Sequence, residues 1–599
     1  MPDEVSEERG STEQAGATAS ISATAPASTP AAAPPTGAAG WGEGADYVPD
    51  PRRWIALGIV LTGAFMVLLD ISIVNVAIPS IQTNLHASFA QVQLVLAGYQ
   101  MAYAVVLITG GRLGDINGRK RMFMLGMAGF VLASASCGLA QTADMLVFSR
   151  VVQGLMAALM YPQVLSVIQV TFPPRERAAA FGIFGSTIGI ATIAGPLLGG
   201  LIIRSDITGS SWRWVFLVNV PVGVASLIAA ARLMSETKAP QGAKLDIPGV
   251  LIVSAALFLL AFPLVEGRDQ GWPGWAFLML ALSVPAIAGF ALLERTIERR
   301  NGKPLVPLSL FKDRAFTAGM AVSSIFFAGI PSFFFTFGLT VQIGLHFSAL
   351  HAGLVTAPFA IGSASASAMS VRLAPKLGKN ILFIGSGLLV IGMLATVATL
   401  HWRGTDLNGV DLIPAMFISG VGLGCTVAPL VNVILAGIRS ADAGSAAGVL
   451  STFQQVGGAL GVAIIGVIFF GLLGNRAGNI AQDNAAQLRA DLIATHQLPP
   501  QQADQTVAIF VDCFSRRANS KDPSETPPGC PDPARATPGP VTTVIQDASN
   551  RALGENFTEA LERALLFNAV VFGSSGLLVL LLPRPPRTRP PGAGAAGAH

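Results

Sequence analysis

A chain of 599 residues in which 12% are charged, 52% are hydrophobic and the mean hydropathy is +0.59 is too apolar for an ordinary soluble protein. Its formal charge of +4 comes from basic residues spread through short segments and not from one stripe, so no nucleic-acid partner is expected. The lipid bilayer is the expected surrounding, and an all-α membrane protein the expected class.

Residues 1–53 are rich in Ala, Ser, Thr, Pro and Gly and lack the basic-then-apolar order of a cleaved signal peptide, a composition that predicts a disordered tail. Apolar runs then predict fourteen transmembrane spans, near 55–79, 91–111, 122–140, 145–170, 178–203, 213–234, 247–266, 274–293, 316–341, 352–371, 380–400, 411–437, 444–473 and 563–583. An even number puts both ends of the chain on one face. The segments of that face carry Arg112, Arg119, Lys120, Arg121, Arg175, Arg177, Arg232, Lys238, Lys244, Arg295, Arg299, Arg300, Lys303, Lys312, Arg314, Arg372, Lys376, Lys379 and Arg439. The opposite short loops hold Arg204, Arg213, Arg268 and Arg403, so the bias predicts cytoplasmic termini in the cell inner membrane. The predicted organisation is a cytoplasmic tail 1–53, a six-helix bundle 54–235, two inserted helices 246–294 and five helices of a second bundle 315–474. A long external loop 475–561, a last span 562–583 and a cytoplasmic tail 584–599 complete it. Within the loop, 484–495 and 556–566 have helical composition, but no pattern assigns it a fold.

Taken in chain order, the first chemically loaded residue is Asp70, a carboxylate well inside the first span, where an ionised acid costs several kcal/mol unless paired, hydrated or protonated. The run Gly111-Arg112-Leu113-Gly114-Asp115-Ile116-Asn117-Gly118-Arg119-Lys120-Arg121 reads as a tight loop after span two. Its glycines permit close backbone approach, and Asp115 offers an acceptor to a helix N-terminus or an arginine. Arg150 is the cation well inside span four; opposite helix directions bring it about 8 Å and Asp70 about 13 Å below the same outer surface, a depth match that suggests a pair. Span five carries Gly182 and then Gly195-Pro196-Leu197-Leu198-Gly199-Gly200, small residues that allow tight helix contact and a proline that loosens the local ladder. Span nine is aromatic at Phe326, Phe327, Phe333, Phe334, Phe335 and Phe337. The segment Arg372 to Lys379 after span ten echoes Arg112 to Arg119, as expected of two repeated halves with spans seven and eight inserted between them.

Cys137 and Cys425 lie in apolar runs and read as packed residues, and no cysteine has metal-ligand spacing, so neither a metal nor a cofactor is expected. Cys513 and Cys530 both fall in the external loop, where oxidation to a disulfide is permitted; the prolines at 527, 528, 531 and 533 either preset that turn or prevent it. No phosphate-binding Gly-x4-Gly-Lys-Ser/Thr is present, which disfavours ATP-driven transport.

These motifs resemble the major facilitator superfamily, and within it the fourteen-span drug:proton antiporters of the EmrB/QacA type, over roughly residues 54 to 474 and the last span. Gly111 to Arg121 resembles the superfamily's signature loop, with Ile116 where a basic residue is usual. Leu69 to Pro79 resembles the first-span motif, Arg150 to Gly154 the motif whose arginine is associated with proton transfer, and Gly182 with Gly195 to Gly200 the antiporter motif, with Ala191 where a glycine is usual. Trp212 to Pro221 looks like the family's entry into span six. The resemblance implies the major-facilitator fold, no enzymatic activity, Asp70 and Arg150 as the proton-coupling pair, and Gly111, Arg112, Gly114, Asp115, Gly118, Arg119 and Lys120 as a conformational switch. It also implies that Asp115 faces the start of span thirteen near Gly444 and Ser445 when the transporter opens outward. The function implied is proton-coupled export of small, amphipathic or cationic molecules. Proton-driven uptake is the alternative and a non-transporting receptor a remoter one; a small-molecule substrate, protons and lipid are the expected partners.

Overall fold

The computed structural model describes residues 50–87, 89–205, 212–238, 245–267, 270–300, 304–494, 497–519, 527–531 and 539–583; the predicted tails, apart from 50–53, lie outside them. The described chain is built from helices: α1 Arg53–Leu85, α2 Phe89–Asn117, α3 Arg119–Gly138, α4 Ala143–Thr171, α5 Pro174–Ser205, α6 Trp212–Leu217, α7 Asn219–Leu233, α8 Ile247–Glu266 and α9 Gly274–Arg299. After a strap at 304–313 follow α10 Arg314–Leu339, α11 Ala349–Leu377, α12 Asn380–Arg403, α13 Ile413–Leu435, α14 Ala443–Ala494, α15 Pro500–Ala518 and α16 Pro540–Leu578. Among the described residues fourteen spans are long and apolar enough to cross a membrane, with α6 and α7 together making one of them and α15 making none. A helix satisfies every backbone polar group within itself, which is why such sequences take this form in lipid.

Starts are fixed by side chains that meet unpaired amides. Thr142 accepts from Met145 N at the head of α4, Asp313 from Ala315 N and Phe316 N at α10, and Ser348 from His351 N at α11. In the first half α1 packs on α4, α5 and α7, while α2 and α3 pack on α4; in the second, α10 packs on α14 and α16, α11 on α13, and α12 on α13 and α16. Helices α8 and α9 pack on each other, with α8 also against α2 and α14. The halves meet where α5 lies on α11 and α13 and where α2 and α4 lie on α14.

Three loop expectations are corrected, two of them at glycine turns. The segment 111–121 is not a loop: α2 runs to Asn117, α3 starts at Arg119, and Gly118 alone makes the turn, at φ +105°. Likewise Arg372 to Leu377 belong to α11, and Gly378 at φ +56° ends it. A left-handed turn at a glycine lets each helix continue to the membrane surface, and it recurs at the same place in the echoed segment.

The segment 475–561, predicted as an external loop, is also largely helical among its described residues. Helix α14 continues for 52 residues, about 78 Å, well past the apolar core of a bilayer. Toward its C-terminal end its residues Ile480, Ala481, Leu488 and Leu492 pack with Ala503 and Phe510 of α15 and Ala548 and Ala552 of α16. Arg476 pairs with Glu559, Arg489 Nε with Asp504 Oδ1 at 2.5 Å, and Asn484 Nδ2 donates to Glu555 Oε2 at 2.6 Å. The Arg489 guanidinium holds the Asp504 carboxyl below its ordinary range. The layer is legible only as three helices whose thin apolar faces cover one another.

Candidate functional site

Asp70 sits on the buried face of α1, where α4 brings two polar groups to it and α7 one. Arg150 of α4 donates from Nη1 to Asp70 Oδ2 at 2.5 Å, and Gln153, one turn further along α4, donates from Nε2 to Oδ1 at 2.9 Å. Asn219 at the head of α7 donates from Nδ2 to the same Oδ1 at 3.3 Å. Arg150 is held in turn: Nε donates to Val95 O of α2 at 3.2 Å, Nη1 to Gln153 Oε1 at 2.8 Å, and the guanidinium lies 4.2 Å from the centre of the Tyr99 ring. Asp70 and Arg150 are 0% and 1% exposed, so neither charge is tolerable alone. A buried ion pair persists only when its geometry is good and its remaining hydrogen bonds are made, which Gln153, Asn219 and Val95 accomplish.

Asn219 also donates to Ser134 Oγ of α3 at 3.2 Å, and Ser134 donates to Phe216 O, so the site ties four helices and the α6–α7 break together. Tyr99 is fully buried and its hydroxyl has no protein partner. From it an aromatic row runs through Tyr103 and Tyr161 to Phe184 of α5. Sequence reasoning placed Asp70 and Arg150 but gave no role to Gln153, Asn219 or Tyr99. Gln153 carries a faint signal, being i+3 from Arg150 and so on the same helix face; for Tyr99 there was none.

The predicted antiporter motif divides between two tasks. Gly195 and Gly199 lie against Ser72, Ile73 and Val76 of α1, so they pack α5 inside the first half, beside Asp70. Gly182 instead faces Val371 and Ser367 of α11, across the boundary between halves, and Gly185 and Gly189 continue that stripe against Ser367 and Ser363. Leu197 of the motif meets Gly353 of α11, while Pro196 and Gly200 are half-buried. The spacing of Gly182, Gly185 and Gly189 is readable as one helix face, and the sequence reading used only its first member.

The switch residues form a second site, on the face that carries the described chain ends. Asp115 is fully buried at the end of α2 and accepts from Gly444 N and Ser445 N, both at 3.0 Å, at the first turn of α14. A carboxylate there answers unpaired amides and the positive end of the helix dipole at once. Arg119 Nη2 reaches Asp115 Oδ1 at 2.5 Å and Ser440 O at 2.9 Å. Gly111 makes this approach possible, since its backbone touches that of Gly444 with no space for a side chain on either. Gly114 packs on Gln163, and Lys120 Nζ closes the end of α7 by donating to Ala231 O and Met234 O. Arg112 is buried beside Asp115, with its Nε unpartnered. Nearby, Gln169 Nε2 donates to Leu435 O at 2.5 Å, another bond between halves on this face.

The two sites do not touch; Tyr99 and Asp115 lie about 24 Å apart along α2. Elsewhere, Cys513 and Cys530 are joined in a disulfide with S–S 2.08 Å, fastening the end of α15 to 527–531. Of the span-nine aromatics, Phe326, Phe333 and Phe337 are core residues, packed on Phe572 and Phe359.

The chain matches the family profile described as Major Facilitator Superfamily over residues 60–462. It is 38% identical to a "Probable actinorhodin transporter" of Streptomyces coelicolor over 91% of this chain and 94% of that one. It is 34% identical to a "Tetracenomycin C resistance and export protein" of Streptomyces glaucescens over 87% of this chain and 91% of that one. Among solved structures the human organic anion transporter MFSD10 aligns with a TM-score of 0.50 at 15% identity, over 70% of this chain and 94% of that one, a likeness of fold alone.

Proposed function

The chain belongs to the Major Facilitator Superfamily, and on that premise we propose that it exports small, amphipathic or cationic molecules of the antibiotic class from the cell in exchange for protons. Curated relatives of similar length are named for antibiotic export and resistance, which supports the direction and the substrate class. The observation that carries the coupling is the enclosed Asp70–Arg150 pair, because a carboxylate held by a guanidinium can exchange that partner for a proton when the helices move. The termini face is cytoplasmic on this reading, and the Asp115 contact with α14 is its closed gate. Rocking of the halves about the α5–α11 glycine stripe opens that gate while the proton, loaded from outside, leaves Asp70 inward.

A membrane potential of ~100 mV supplies about 2.3 kcal/mol per charge moved, and a pH difference of ~1 unit adds about 1.4 kcal/mol. Together they sustain a gradient of several hundred-fold for one net charge per cycle. The test uses inverted vesicles holding the full chain and acidified inside. Adding a transported dye or antibiotic releases protons to the medium if the chain is an antiporter. A symporter moves protons and solute in the same direction, so the added solute draws protons from the medium into the vesicles, and a receptor moves neither.

A further inference from the structure

Another buried acidic group lies in the two inserted helices, outside both sites described above. Glu294 of α9 is 0% exposed. Its Oε2 accepts from Val306 N of the strap at 3.1 Å, whereas its Oε1 is buried with no donor. Asp246 stands at the N-cap position of α8 yet does not cap it: its carboxylate turns inward, and Oδ2 is also buried with no donor. These two donorless oxygens converge, for both lie against the point where a Cβ on Gly249 would stand. Among the described residues neither acid forms an ion pair. Of the other charged groups nearby, Asp115 is taken by α14 and Arg119, Arg112 lies beside Asp115 with its Nε unpartnered, Arg295, Arg299 and Lys312 are exposed, and Glu298 is half-buried on the far turn of α9.

Two carboxylates facing each other without a donor repel, and the smallest species that removes the repulsion is a proton held between them. A divalent cation needs six or more oxygens at about 2.0 to 2.6 Å, which two acids in a space filled by Gly249 do not provide. We propose that Asp246 and Glu294 bind one shared proton, a second proton site of this chain, and that the protonated pair clamps the strap to the inserted helices. One acid then donates its O–H to the other's carboxylate, and the pair carries a single negative charge. Release of the proton to the aqueous face leaves two like charges in contact and drives the pair apart. The strap carries the consequence onward: Leu305, fully buried, accepts from Ser445 Oγ at 3.2 Å, and Ser445 N is one of the two amides that hold Asp115. The state of the pair is therefore two hydrogen-bonded contacts away from the gate, and the inference stands whether the chain exports or imports.

The full chain in lipid nanodiscs tests this by infrared spectroscopy and amide exchange. A carboxylic C=O band is expected at neutral pH, lost in Glu294→Gln, whose amide can donate to Asp246 in the proton's place. In the native chain, exchange of the 304–313 amides, corrected for its intrinsic pH dependence, should quicken about ten-fold or more as the pH rises through loss of that band. Glu294→Gln should keep the strap protected throughout, and Asp246→Asn should likewise remove the pH step. Absence of a carboxylic band that Glu294→Gln removes overturns the proposal. So does a strap whose corrected exchange is flat with pH in the native chain, or one whose protection follows added calcium or magnesium instead.

Discussion

Arg150 Nη1 lies 2.5 Å from Asp70 Oδ2, and each of the two side chains also bonds a group from a further helix, Asp70 with Asn219 of α7 and Arg150 with Val95 of α2. Any movement that parts α1 from α4 must therefore supply a new partner to both charges. Water, substrate and a proton are the candidates, which is what makes this pair a coupling device under the proposed function.

Asp70→Asn should abolish proton-driven efflux while the chain still inserts. It also leaves Arg150 buried without a counter-charge, at a cost of about 3–5 kcal/mol, so the melting temperature in detergent should fall. Full efflux at neutral pH by this variant would show that the coupling proton travels elsewhere.

Arg150→Ala should be as inactive as the Asp70 variant, and Arg150→Lys should retain part of the activity. Lysine keeps the charge but cannot reach Asp70, Gln153 and Val95 together as the guanidinium fork does. Normal dye efflux by Arg150→Ala in a pump-deficient host would leave the pair without functional weight.

At the gate, Asp115→Asn replaces an acceptor of two amides and one guanidinium with a neutral group that can satisfy them only in part. A cysteine placed at Ala447, buried on α14, should then react about ten-fold faster with a thiol reagent added from the termini face, matching a loss of roughly 1.4 kcal/mol. Gly444→Val should open the same face by a different route, through a clash with the backbone of Gly111. Unchanged labelling in both variants would mean that this contact does not hold the halves together.

Loss of the Cys513–Cys530 bridge should loosen the helical layer formed by α15 with the ends of α14 and α16 and leave the spans in place. Closing a segment with a sequence separation of 17 is worth about 3 kcal/mol in the chain-entropy model. Cys513→Ser should therefore speed proteolysis after α15 without changing helix content. If an impermeant reagent modifies both native cysteines rapidly on unreduced cells, the bridge is absent in the membrane.

Hydropathy read the fourteen spans correctly because the bilayer is a uniform solvent: each crossing segment must be apolar over its own length, whatever its neighbours are. The same logic singled out Asp70 and Arg150, since a charge in lipid is conspicuous in one dimension. What completes their site, namely Gln153, Asn219, Val95 and the face of Tyr99, comes from three helices and carries no local mark, for amides and tyrosines are common in spans. Hydropathy also failed where lipid is absent. The outer parts of α14 and α16 and all of α15 are polar on average, and their helices are stabilised by one another's narrow apolar faces and by a disulfide, a condition that only assembled neighbours meet. Asp246 and Glu294, 48 residues apart, each look like ordinary acids at a helix end. Only the packing of α8 on α9 turns them toward each other and buries the two facing oxygens.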